Sequence, residues 1–313
     1  MIEPRLITQP LRRTRTTLSP LLKTMRPRQW PKNLFVYAAL VFDGTLDNLA
    51  PRLVQTTAAF VLLCLMSSAV YIMNDLADIE SDRQHPTKRL RPLPSGQLNP
   101  AVAKIALIFL VIFSLGAGFW LSVPFGLVLL IYFVLQIAYT FSLKHMVIID
   151  VMTVAAGFVL RVGAGVAVIQ VQRFSPWLYV CTGLLALFLA LGKRRHELAL
   201  LGNGAGSHRA ILDEYNLPFV DLLIGIVSAS ALVAYSLYTF LAEGLPENHL
   251  MMLTILPVVY VLFRLLYLMM VRGEGGAPEE ILLKDRPLQF ALLVWGLMIV
   301  ASLYFLSTAP LPA

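Results

Sequence analysis

Apolar stretches of about 20 residues recur from one end of this chain to the other, the length an α-helix needs to cross the hydrocarbon core of a bilayer. Nine read as membrane-spanning helices: roughly 33–48, 53–74, 101–121, 124–143, 147–169, 175–193, 218–241, 249–271 and 288–308. Composition agrees. Hydrophobic residues make up 58% of the chain and the mean hydropathy is +0.74, beyond the roughly 45–50% apolar content of soluble domains. The expected fold is therefore all-α, a polytopic membrane protein. Residues 1–32 read as a basic segment ahead of a single transmembrane domain, 33–313. No cleavable signal is expected, because eight Lys/Arg precede any long apolar run.

Cation placement predicts orientation. With the N-terminus in the cytoplasm, the inside segments carry 20 Lys/Arg and the outside loops two, Arg52 and Arg173. The net charge of +7 then reflects topology and anionic headgroups, and no nucleic-acid partner is expected. The long polar loops, 75–100, 193–217 and 272–287, all fall on the cytoplasmic side. The active site is expected there, in a bacterial or archaeal plasma membrane. Cys64 and Cys181 lie in spans without metal-ligand spacing, and none of the five His shows ligand spacing.

One inside loop carries more than topology requires: "NDLADIESDRQHPTKRLRP", 74–92. Positive-inside bias accounts for its cations but not for Asp75, Asp78 and Asp82. If the second helix continues through them, a turn of about 100° per residue puts Asn74, Asp75, Asp78 and Asp82 within an arc of about 100°, with Glu80 off that face. Carboxylates so placed repel unless a cation sits among them. An oxygen-only face suits Mg²⁺, which is held by a few carboxylates while phosphates complete its shell. Pro86 ends the helix, and Lys88, Arg89 and Arg91 follow as candidate clamps for phosphate oxygens. The reading is a phosphorylated or pyrophosphorylated substrate bound at the membrane surface.

The run N-D-x-x-D-x-x-x-D resembles the first Asp-rich motif of the UbiA superfamily of membrane transferases. That resemblance implies nine transmembrane helices around a cytoplasm-facing cavity, and Mg²⁺ holding a diphosphate. The family's second motif, an Asp-rich D-x-x-x-D after the sixth span, is replaced here by "LGKRRHEL", 191–198, and Asp213 and Glu214 stand adjacent further on. With "RPRQWPKN" at 26–33 and "PEEILLKDRPLQ" at 278–289, the chain is similar to the decaprenyl-phosphate phosphoribosyltransferase branch. The resemblance implies phosphoribosyl diphosphate as donor and a long polyprenyl phosphate as acceptor, in arabinan-precursor synthesis. It implies Asp75, Asp78 and Asp82 as metal ligands and catalytic groups, with Asn74 orienting a ligand. Lys32, Lys88, Arg89, Arg91, Lys193 and Arg194 are candidates for phosphate and Glu197 for ribose hydroxyls. Lys144 is a candidate for the lipid phosphate, and Tyr139 flanks the same helix end. Arg161, a cation inside the fifth span, is a candidate by its position alone, and Asp150 begins the same span. The loop at 272–289 is expected to fold over the site. A homo-oligomer stays open. The alternatives are a prenyltransferase acting on an aromatic acceptor, which would carry the second Asp pair, and a transporter, which would carry acids near span centres.

Overall fold

The computed structural model describes residues 18–43, 48–171, 174–201, 210–243, 245–246, 248–274, 276, 281 and 284–306. The secondary structure among them is helical throughout. Helix α1 (Leu18–Met25) leads into a 3-10 helix, Pro27–Tyr37, and a short α2 (Ala38–Phe42). Then come α3 (Leu49–Ala77), α4 (Ile79–Gln84), α5 (Pro100–Leu121), α6 (Val123–Phe141), α7 (Ile149–Ile169) and α8 (Pro176–Leu201). The bundle finishes with α9 (Leu217–Leu241), α10 (Ile255–Met270) and α11 (Arg286–Val300). The described residues include eight helices long and apolar enough to cross a membrane.

The first expected span, 33–48, differs. It begins as the 3-10 helix, whose residue 27 is a proline and which contains Pro31; residues 44–47 lie outside the described set. Proline lacks the amide hydrogen that an α-turn would use. At three residues per turn, positions three apart stack on one face. Trp30, Asn33 and Val36 are such a stripe. The Trp30 indole donates to the Ser68 hydroxyl at 3.1 Å, and the Asn33 amide nitrogen to Ser67 at 3.2 Å. Val36 is fully buried. Its carbonyl lies where a side chain on Gly165 of α7 would overlap it, so only glycine permits that approach. Eleven residues at about 2 Å each, with α2 beyond, still extend about 30 Å, close to the hydrocarbon thickness. The domain boundary expected at 32/33 falls inside this helix.

Successive long helices pack as neighbours from α3 through α5, α6, α7 and α8 to α9, and the 3-10 helix lies against α3 and α7. The ring closes where the Tyr304 hydroxyl donates to the Val41 carbonyl at 2.8 Å and Phe42 meets the edge of Tyr238. On α5, Ile105, Ile108, Phe109, Ile112 and Trp120 face outward, as a lipid-facing surface requires. Three helices start at one end of the bundle with the same grammar, a polar cap followed by proline. Asn99 accepts from Ala101 N at 2.8 Å, Asn216 from Phe219 N at 2.9 Å, and Asp285 from Leu288 N at 2.9 Å. The caps satisfy amides that a helix start leaves open. The Asp-rich segment lies at that same end, because helices alternate in direction and α3 finishes where α5 begins.

Candidate active site

The helix expected to run through all three aspartates is interrupted at Asp78, whose φ of −99° and ψ of 12° leave the helical range. Hydrogen bonds from Asp78 N to Asn74 O and from Asp82 N to Asp78 O, 3.0 and 2.8 Å, still carry the turn across the break. Asp75 and Asp82 point inward and are each 2% exposed. They converge on one atom: Nη1 of Arg91 donates to Asp82 Oδ2 at 2.6 Å and to Asp75 Oδ1 at 3.3 Å. Arg26 also bonds Asp75 and stacks over the Tyr71 ring at 4.8 Å. Lys88 lies 4.0 Å from Asp82.

Asp78 turns away from this pair, and Lys144 Nζ donates to it at 2.9 Å. Lys144 sits in the tight turn Leu143–His145 that follows α6. The Thr140 hydroxyl, also from α6, contacts the Asn74 carboxamide oxygen. The Arg89 side chain is exposed at the rim, and Lys32 is half-buried on the 3-10 helix.

A second constellation forms where α7 meets α8. Arg194 is buried; its Nε donates to Asp150 Oδ2 at 2.8 Å and its Nη1 to Glu197 Oε2 at 2.6 Å. Asp150 is fully buried. The Tyr215 hydroxyl donates to its other oxygen at 2.8 Å and accepts from Ile148 N at 2.7 Å. Burial pushes the Tyr215 hydroxyl up to about 12, against the pull of the Ile148 amide. Ile148 has φ 69° and ψ −44°, a conformation a β-branched residue adopts only under constraint, at a cost of about 1–3 kcal/mol. Lys193 is exposed, so it and Arg194 look to different surroundings. Arg195 instead ties α8 to α9 and α10, through Asp221 at 2.6 Å and the Met269 carbonyl at 3.2 Å.

Arg161 lies apart from both groups, eleven residues beyond Asp150 and so about 16 Å further along α7. Its guanidinium is spent on Asn33 Oδ1 at 2.8 Å, the Gly157 carbonyl at 2.7 Å and the Tyr132 hydroxyl at 3.0 Å. It joins the 3-10 helix, α6 and α7. Of the loop expected over the site, most of 275–283 lies outside the described residues. Its described start packs on the end of α8, where a His196 ring nitrogen lies 2.7 Å from the Gly273 carbonyl oxygen. Asp285 receives two bonds from Arg264, at 3.2 and 2.8 Å, which hold its carboxyl below the usual range.

Among the described residues no three acidic, His or Cys side chains form a metal-ligating group. Asp75 and Asp82 converge while Asp78, at the break, faces Lys144, so the three expected carboxylates do not meet at one point in this arrangement. The Asp75–Asp82 pair still fits Mg²⁺. Two oxygen ligands already converge on a single cationic nitrogen, and Mg²⁺ takes one or two carboxylates with phosphates and water filling the rest. Sequence reasoning left out Arg26 and Tyr215. Arg26 was legible only as one of several juxtamembrane cations, and Tyr215 stands beyond any motif. Asp150 was noted for its place at the start of the span, not for its partners.

The family model described as "UbiA prenyltransferase family" matches residues 34–196. The decaprenyl-phosphate phosphoribosyltransferase of Mycolicibacterium smegmatis is 34% identical over 302 residues, covering 92% of this chain and 93% of that one. The protein of the same name from Mycobacterium tuberculosis is 32% identical over 290 residues, with 91% and 94% covered. Among solved structures, a UbiA homolog from Archaeoglobus fulgidus bound to GPP and Mg²⁺ superposes with a TM-score of 0.70 at 17% identity, over 91% of this chain and 99% of that one. The matched segment holds Asp75, Asp82 and Arg91 and ends beside Glu197, and the relatives align over nine-tenths of the chain: this protein is a membrane transferase of the UbiA prenyltransferase family.

Proposed function

We propose that the protein transfers a 5-phosphoribosyl group from phosphoribosyl diphosphate to a long-chain polyprenyl phosphate, releasing pyrophosphate, in the making of arabinan precursors. The observation that carries this is the alignment along nine-tenths of its length with relatives named for that reaction. The replacement of a second Asp-rich motif by Lys193, Arg194 and Glu197 supports it, since a prenyl diphosphate held between two acidic motifs would need the missing acids.

In the reaction an acceptor phosphate oxygen attacks the anomeric carbon as the bond to the diphosphate oxygen breaks, with inversion at that carbon. An ionised phosphate needs no general base, which suits a site built of carboxylates and cations. Asp75 and Asp82 would hold Mg²⁺, which would supply neutralising charge for the leaving pyrophosphate. Asn74, set by Thr140, helps fix the donor. Arg26, Lys88 and Arg91, which lie on the two acids, and the exposed Arg89 hold phosphate oxygens, with Lys32 and the exposed Lys193 as further cations at the entrance. Lys144 brings the lipid phosphate up against like charge. Tyr139 and Glu197 face the ribose, with Arg194 anchoring Glu197. Arg161 serves by holding the walls together. The site faces the cytoplasm, where a soluble sugar diphosphate is available, and the polyprenyl chain enters from the bilayer.

The test is direct. Purified protein in lipid is incubated with labelled phosphoribosyl diphosphate, Mg²⁺ and polyprenyl phosphate. Label is expected in the lipid phase, and none without Mg²⁺. Transfer of a prenyl group to an aromatic acid in its place would overturn the reading.

A further inference from the structure

We propose that Tyr215 is a positioning residue: its hydroxyl holds the Ile148 amide, and through it the 142–148 turn that presents Lys144 to Asp78. This rests on the transferase reading above and adds to it a residue outside every motif.

The turn joins α6 through Ser142 N to Ala138 O at 2.9 Å and α7 through Asp150 N to Met146 O at 3.0 Å, and Val147 packs against the core beside it. It is closed by two bonds of its own, His145 N to Ser142 O at 3.1 Å and Met146 N to Leu143 O at 3.2 Å. It then enters α7 through Ile148, whose positive φ reverses the chain direction just before Ile149. A β-branched residue left to itself would relax out of that conformation. The Tyr215 hydroxyl prevents this by accepting the Ile148 N–H, and its own proton is anchored on the fully buried Asp150. Asp150 is in turn held by Arg194. The orientation of the Ile148 peptide is thus set from outside its own segment, by two separate elements. Four residues earlier stands Lys144, 2.9 Å from Asp78. A flip of the Ile148 peptide would swing the turn and with it the ammonium group.

Tyr215 ends the short turn Ala210–Glu214 and stacks on Phe219 at the start of α9, with ring centres 6.2 Å apart. Tyr215 therefore governs the cation that pairs with Asp78 of the first motif without touching substrate. A tyrosine that merely filled space would leave Lys144 indifferent to its hydroxyl.

The full chain is tested in nanodiscs as wild type, Tyr215→Phe, Lys144→Ala and the double variant. Tyr215→Phe keeps the ring but leaves the Ile148 N–H and one Asp150 oxygen without their partner; it should lower kcat/KM about tenfold, the size of one lost hydrogen bond, with a modest drop in Tm. Lys144→Ala should cost more, and the double variant no more than Lys144→Ala alone. Losses that multiply would show that Tyr215 does not act through Lys144 and would overturn the proposal. Hydrogen exchange gives a readout free of activity: amides 143–149 should exchange faster in Tyr215→Phe and those of α9 should not. Unchanged exchange at 143–149 would also overturn it. Should wild type transfer no phosphoribosyl group, the transferase reading fails while the exchange result still decides the positioning role. If Tyr215→Phe does not fold, the pair Ile148→Gly and Ile148→Gly/Tyr215→Phe replaces it. Glycine accepts the positive φ without the tyrosine's help, so amides 143–149 should exchange at similar rates in these two, and exchange about tenfold faster in the double variant would sink the idea.

Discussion

Asp75 and Asp82 share one guanidinium nitrogen of Arg91, so a metal ion drawn between the two acids would take the place of that nitrogen. Arg26 and Arg91 keep about a third of their side chains open to solvent, 30% and 32%, while the acids are sealed. Removing one acid should therefore spare the fold and strike the chemistry. We expect Asp75→Asn to lower kcat/KM about 100-fold and to weaken Mg²⁺ binding by 10- to 100-fold, a typical range for losing a group that supports a metal site. The lipid-phase label and a Mg²⁺ titration check this. Arg161 should behave in the opposite way. Arg161→Ala strands the Asn33 carboxamide and the Tyr132 hydroxyl in the bundle interior, at about 1–3 kcal/mol for each buried group left unpaired. The expected result is a clearly lowered Tm, followed by thermal melts in detergent, with residual activity in the fraction that stays folded. The acids of the first motif were legible because their spacing follows a helix. Which of them would share a cation was not, because that depends on one backbone irregularity at Asp78 that no residue type announces. Arg194 shows the same limit. Its charge was legible, but its burial depends on Asp150, 44 positions away along the chain.

At the scale of the element, three helix starts share one device. Asn99–Pro100, Asn216 with Pro218 and Asp285 with Pro287 each combine a side chain that caps with a ring that tolerates the first turn. Asn216→Ala should destabilise the protein by about 1 kcal/mol, seen as a modest drop in Tm. Asp285 adds a pH dependence. Its carboxyl titrates below the unfolded value of about 3.9 because Arg264 and the Leu288 amide bond the charged form. The stability it adds is present above pH 4 and is lost as pH falls through the folded value. Melts at pH 5 and pH 3 should show the drop, and Asp285→Asn should show less of it. The apolar spans were plain in the sequence, yet the first was not. A 3-10 helix and an α-helix draw on the same apolar residues, and hydropathy reads content rather than pitch. The two prolines were the only local sign.

At the scale of the molecule, the charged chemistry gathers at one end and the lipid-facing residues girdle the rest. That distribution predicts an orientation. A cysteine placed at Arg89, which is exposed beside the site, should react with a membrane-impermeant thiol reagent in inverted vesicles and not in intact cells; the converse would put the site outside. Cys64 is buried and Cys181 half-buried, so a double Cys-to-Ser background removes their signal. The bundle as a whole was legible from twenty-residue periodicity and cation asymmetry. Its closure was not, since it depends on Tyr304 near one end of the sequence reaching the Val41 carbonyl near the other.

The stripe of Trp30, Asn33 and Val36 also bears on how this chain can vary in length. At three residues per turn, adding or deleting one residue between Trp30 and Val36 turns everything before it by about 120°. Trp30 would leave Ser68, and Arg26 would be carried away from Asp75. Only a change of three residues restores the face, and it shifts Arg26 by about 6 Å along the axis. Drift in the length of this segment is thus read directly at the Asp75 end of the bundle.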